Sequence, residues 1–185
     1  MEFDSYADTG IHVAVDLVNA LAPDRAPDEL LPAIAAVLAV DPPSVAQLGP
    51  ADGPGFVALA RRLRDVFDDL RRGGTDAAAA RLNDLLARHP AHPHLAREEE
   101  DGRWRLHHHP VDAALVPMWT AICSEGLARM LSAGFGDRLG TCEAPGCARV
   151  FVDQSKNASR RFCSTTCQNR VKAAAFRLRR APGRR

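Results

Sequence analysis

The stretch CEAPGCARVFVDQSKNASRRFCSTTCQNRVKAAAFRLRR, residues 142–180, decides how the chain is read. It holds four of the five cysteines, Cys142, Cys147, Cys163 and Cys167, spaced C-x4-C, fifteen residues, C-x3-C. Two close thiol pairs joined by a short polar connector suit one tetrahedral zinc ion, because each pair spans one edge of the coordination sphere. Pairing them as two disulfides would call for an oxidising compartment, and nothing in the sequence points to one. One structural Zn2+ is therefore expected, held by four thiolates that leave no position open for water.

The residues between the ligands sharpen this expectation. Ala144-Pro145-Gly146 predicts a tight turn inside the first pair, which turns backbone N–H groups toward the thiolates. Val150-Phe151-Val152 reads as a short strand, with Arg161-Phe162-Cys163 as its expected partner across a loop over 153–159. Ser164 is placed to cap a helix from about Thr165 to Arg180, with Cys167 in its first turn and Pro182-Gly183 as the stop. A knuckle, a hairpin and a helix carrying the last ligand describe a treble-clef-like zinc finger.

These residues resemble the CGNR zinc finger, a family named for four residues that begin at the last cysteine. Here they read Cys167-Gln168-Asn169-Arg170, so glutamine stands where the family has glycine. Glycine is not needed for helix geometry, so the departure leaves the metal site untouched. The resemblance also covers Phe151 to Asn157 and Ser159 to Cys163. It implies a DNA-binding regulator whose N-terminal domain is of the kind called ABATE, found in stress-induced transcription regulators.

Charge divides the chain in the same place. Residues 142–185 carry eleven Lys/Arg against Glu143 and Asp153, while the first 141 carry thirteen basic against twenty-one acidic side chains. An acidic body with a basic tail points to a polyanion as the tail's partner, DNA first. Met1–Gly10 has no basic head and no long apolar run, which predicts no signal peptide. No stretch approaches the roughly 20 apolar residues of a membrane span. The expected location is the cytoplasm.

The expected fold class is α+β, mainly helical. An ABATE-like domain over 1–137, with one β-hairpin, precedes a CGNR-type zinc finger over 138–185. Ile11–Leu21 is apolar except at His12, Asp16 and Asn19, and its periodicity does not decide between helix and strand. ABATE-containing proteins carry a similarly spaced Asp and Asn. Asp16 and Asn19 are accordingly the candidates for binding a small-molecule ligand, although capping or bridging of backbone by short polar side chains is the favoured role. Asp28 is expected to cap a helix to about Ala39, Pro42-Pro43 to break it, and Gly49–Gly55 to form a loop. Phe56–Arg72 is the clearest amphipathic helix, with Arg61, Arg64, Asp65, Asp68 and Asp69 on its solvated side. Thr75 opens another, to about Arg88.

His89, His92 and His94 alternate with prolines and have no acidic ligand nearby, so they are read as connector rather than metal site. A hairpin follows, Leu95–Glu98 and Arg103–His108, in which Trp104 and Leu106 mark a buried face. Asp112 is expected to cap a long helix to about Ser132, whose apolar stripe makes Cys123 a packed core thiol. The short link at 134–140 predicts a docked finger.

No phosphate-binding glycine loop, nucleophile elbow or H-E-x-x-H motif occurs, so no enzyme is expected. The functional expectation rests on the last helix. Cys167, Val171, Ala174 and Leu178 form its anchored stripe. Asn169, Lys172, Phe176, Arg179 and Arg180 gather opposite, flanked by Arg170 and Arg177, and Lys156, Arg160 and Arg161 lie beside the metal. Cations around an amide and an aromatic ring suit a groove-facing surface. The expected function is a DNA-binding transcription regulator whose N-terminal domain senses a ligand or assembles, for example as a homodimer. The alternative is a zinc-stabilised protein-interaction module.

Overall fold

Helical periodicity in the N-terminal part becomes a helical body, and the finger is built onto its edge. The computed structural model describes residues 5–21, 26–97, 102–110 and 112–180, with backbone alone at 5–8, 178 and 180. The ambiguous first segment is a helix, α1 (Ser5–Ala20). Its Ile11, Val13, Ala14, Leu17 and Val18 are buried. They face α6 (Leu115–Ser132), whose Trp119, Ile122, Cys123, Leu127 and Met130 form the opposite wall. Burial raises the pKa of the Cys123 thiol, which keeps it protonated and fit for packing only.

Two further helices, α4 (Gly53–Arg71) and α5 (Thr75–Arg88), complete the main core. Phe56, Leu63, Val66 and Phe67 line the inner face of α4, as its spacing requires, and Leu82 and Leu85 that of α5. The short helices α2 (Pro27–Val37) and α3 (Pro42–Gln47) close one side. Trp119 Nε1 donates to Ser44 Oγ at 2.9 Å, which satisfies the indole inside the core.

Several local expectations are corrected. Asp28 lies in the first turn of α2 and Ala26 is its N-cap, while α6 starts at Leu115, so Asp112 does not cap it. Pro42-Pro43 starts a helix rather than only ending one, because proline fits the first turn, where no N–H is needed, and Asp41 caps it from the side chain. The predicted loop at 49–55 is a 3-10 turn over Pro50–Asp52 running straight into α4. Asp69 is not solvated: it is 6% exposed and receives Arg81 Nε at 2.5 Å and Arg72 at 2.6 Å.

The hairpin forms as β1 (Pro93–Arg97) and β2 (Trp104–His108), with Leu95 opposite Leu106 and Arg97 opposite Trp104. Its apolar face is not buried, however. Leu95 is 64% and Trp104 67% exposed, because no described helix lies over that side of the ribbon. The second sheet is β3 (Leu139–Thr141) against β4 (Val150–Val152). Leu139 and Val150 join the same core as the helices, contributing about 1.5–3 kcal/mol each by burial. The last helix is α7 (Thr165–Arg180).

Candidate metal centre and basic helix

The four thiols converge at the far end of the β3–β4 ribbon. Cys142 follows β3, and Cys147 closes a knuckle in which its N–H donates to Ala144 O at 2.9 Å. Gly146 makes that turn possible with φ of 72°, a conformation that favours glycine. Cys163 precedes α7 and Cys167 occupies its third position, where its N–H donates to the capping Ser164 Oγ at 3.2 Å. The strand expected at 161–163 does not form. β4 pairs upstream instead, because Asp153, 2% exposed, accepts from the N–H groups of Ser155 and Arg160 at 2.8 and 2.6 Å and turns the chain away.

All four sulfur atoms lie within 4.8 Å of one another. Cys147 and Cys163 are 3.8 Å apart and Cys163 and Cys167 3.7 Å. Thiolates bound at a Zn–S distance of about 2.3 Å in a tetrahedron stand about 3.8 Å from each other, so the donor set fits the ion's size and geometry. Electrostatics agree. Burial raises Cys142, but N–H donors from Cys163 and Ala144 and neighbouring thiols outweigh it and bring that group down to about 7. Burial and the three other thiols push Cys163 up to about 12. Four thiolates cannot ionise together without a cation among them, and zinc supplies it.

The centre is tied to the helical body. Asn19 on α1 donates from Nδ2 to Val150 O at 3.0 Å and accepts the Val150 N–H on Oδ1 at 2.9 Å, as a neighbouring strand would. Arg64 on α4 reaches Ala148 O, and Val18 O at 3.3 Å, so it is a strut rather than part of a solvated face. Gly140 is needed for close packing: a Cβ there would sit 2.6 Å from the Phe151 ring. Asp16 is exposed at the rim of an open cavity of about 320 Å³ between α1 and the finger, beside Arg149 and Gln154. The structure thus uses Asn19 on backbone and leaves Asp16 facing solvent.

The residues of the expected nucleic-acid surface separate into two sets. Arg160 packs over the Phe151 ring at 4.9 Å and donates to the carbonyls of Phe162 and Cys163. Arg161 Nε pairs with Glu143 at 2.6 Å, and Arg170 donates to Pro145 O at 3.2 Å. These three brace the knuckle. Lys156, Asn169, Lys172, Phe176, Arg177 and Arg179 are exposed, with Phe176 at 52%. Val171 and Ala174 are half-buried on the anchored stripe. The side chains of Leu178 and Arg180 lie outside the described residues.

A closed four-thiolate centre with a capped helix carrying the last ligand defines a zinc finger, and residues 138–180 match the family model described as CGNR zinc finger. Residues 11–134 match the model of the ABATE family, described as "Putative stress-induced transcription regulator". The chain belongs to the ABATE family and ends in a CGNR zinc finger. No curated protein matches it. No helix among the described residues is long and apolar enough to cross a membrane.

Proposed function

We propose that the protein is a DNA-binding transcription regulator of the cytoplasm, in which zinc holds α7 rigid and the outer face of that helix engages duplex DNA. The observation that carries this reading is the exposure of Lys172, Phe176, Arg177 and Arg179 on a helix anchored through its first two turns. Lys172, Arg177 and Arg179, with Lys156 beside the metal, are the phosphate contacts. Asn169, one turn nearer the zinc, is the base-reading residue, since an amide pairs in two places with an adenine edge. Arg160, Arg161 and Arg170 support the finger. The zinc is structural, because four thiolates fill its coordination sphere.

A randomised duplex pool tests this directly. The zinc-loaded protein should enrich a sequence, and Asn169→Ala should blur it while Lys172→Ala weakens all sequences alike. No enrichment together with binding that vanishes at physiological salt would favour the interaction-module reading, for which exposed Phe176 is the supporting feature. The sensing role of the N-terminal domain is supported by the cavity at Asp16, which spans α1 and the finger, so that a small ligand there would bear on both. Asp16→Asn should abolish any ligand-dependent change in DNA affinity.

A further inference from the structure

Access separates the four thiols of the metal centre. Cys142 and Cys167 are buried, at 5% and 9% exposed, whereas Cys147 and Cys163 are half-buried. Of the four, Cys163 alone lines the open cavity of about 320 Å³ between α1 and the finger, together with His12, Val15 and Ser164. A small molecule entering that cavity from solvent meets this cysteine first.

Hydrogen bonding separates the sulfurs further. Cys142 Sγ accepts the N–H of Cys163 at 3.4 Å and that of Ala144, and Cys147 accepts the N–H of Arg149. Cys167 Sγ accepts from Arg170 Nη2 at 3.8 Å. Among the described residues no backbone N–H and no cation donates to Cys163 Sγ. Its neighbours are the Cys147 and Cys167 sulfurs and the Ser164 hydroxyl, 4.0 Å away. A donor on a thiolate draws charge from the sulfur and blunts it as a nucleophile. When a metal holds all four deprotonated, Cys163 therefore keeps the most charge as well as the most open approach.

We infer that Cys163 is a modification site for small hydroperoxides, with Cys147 as the thiol that resolves it. The Cys163 thiolate attacks one peroxide oxygen. The S–O bond forms as the O–O bond breaks, and the departing oxygen takes a proton from water. The sulfur is oxidised by two electrons to a sulfenic acid and the peroxide is reduced. The Cys147 thiolate, 3.8 Å away, then attacks that sulfur, forming the S–S bond and releasing hydroxide. Cys167 is as near, at 3.7 Å, but it is buried and holds the bond from Arg170. Two of the four thiolates are consumed, so the centre loses its metal and α7 loses its anchor.

The experiment uses the full-length, zinc-loaded protein and two reagents. Substoichiometric N-ethylmaleimide, mapped by peptide mass spectrometry at low conversion, should label Cys163 at least about tenfold faster than Cys142, Cys147 or Cys167. Hydrogen peroxide should release zinc in step with formation of a Cys147–Cys163 disulfide, and dithiothreitol with added zinc should restore the centre. Cys123, fully buried in the helical core, should stay unmodified throughout. His12→Trp fills the cavity from α1 without replacing a ligand, and should slow both reactions severalfold at unchanged zinc stoichiometry. First labelling at another cysteine, even labelling of all four, or zinc retained through peroxide treatment would overturn the site. So would a disulfide that leaves out Cys147, or rates that His12→Trp does not change.

Discussion

Asn19 is the residue whose replacement tests the architecture most sharply. Its amide makes both hydrogen bonds to Val150, at 3.0 and 2.9 Å, across 131 residues of sequence. Asn19→Ala removes both and leaves the Val150 N–H and C=O facing α1 without partners. Val150 is 1% exposed with Asn19 in place, and because both residues line the open cavity beside α1, water replaces only part of the lost pairing. A buried group left unpaired costs about 1–3 kcal/mol, so two groups predict a loss of about 2–4 kcal/mol after partial relaxation. Asn19→Asp separates shape from chemistry: it still accepts from the N–H but sets a carboxylate oxygen against the Val150 carbonyl, and should also destabilise. Urea unfolding in excess zinc, followed by circular dichroism and tryptophan fluorescence, measures the loss. Hydrogen exchange at the Val150 amide localises it. A change below about 0.5 kcal/mol, the range of ordinary surface substitutions, with unaltered protection at Val150 would refute the clamp.

Three further outcomes follow from the same geometry. Cys163→Ser should abolish stoichiometric zinc and melt α7, since the metal contributes on the order of 10–16 kcal/mol to such modules. The β3–β4 ribbon should persist in that variant through Leu139, Val150 and Asn19, as hydrogen exchange would show. Gly140→Ala should cost about 1–3 kcal/mol in urea unfolding by driving a methyl group into the Phe151 ring. Hydrogen bonds from Arg81 and Arg72 hold the Asp69 carboxyl below the usual range, so its stabilisation is present above an ordinary carboxylate pKa of about 3.9 and fades as pH falls through the lowered folded value. Asp69→Asn should flatten the acid side of a plot of Tm against pH; an unchanged slope would contradict the buried pairing.

What the sequence made legible was local. Ligand spacing, the turn at Ala144-Pro145-Gly146, the Ser164 cap and the start of α7 each depend on residues a few positions apart, and all appear as expected, while the expected stop at Pro182-Gly183 lies outside the described residues. So do the inward faces of α4 and α6. Pairings across the chain left no local trace. The partner of β4 lies upstream in β3, and the Asn19 and Arg64 contacts span 131 and 84 residues. Alternation in β2 marked an apolar face correctly but could not say whether a second layer covers it, and none of the described helices does. Asp69 looked solvated because its helix face is charged. Its burial comes from Arg81 on the next helix. The stacking of His94 on His107 depends likewise on hairpin register, which sets the two opposite each other.

The central claim is that the outer face of α7 contacts DNA phosphates. The most direct test is the salt dependence of duplex binding by the zinc-loaded full-length protein, measured by fluorescence anisotropy. Four phosphate contacts, from Lys156, Lys172, Arg177 and Arg179, predict a slope of log Kobs against log salt near −3.6, at about 0.9 per contact. Arg179→Ala should flatten it by about one unit. A slope near zero, or one that Arg179→Ala leaves unchanged, would contradict the account.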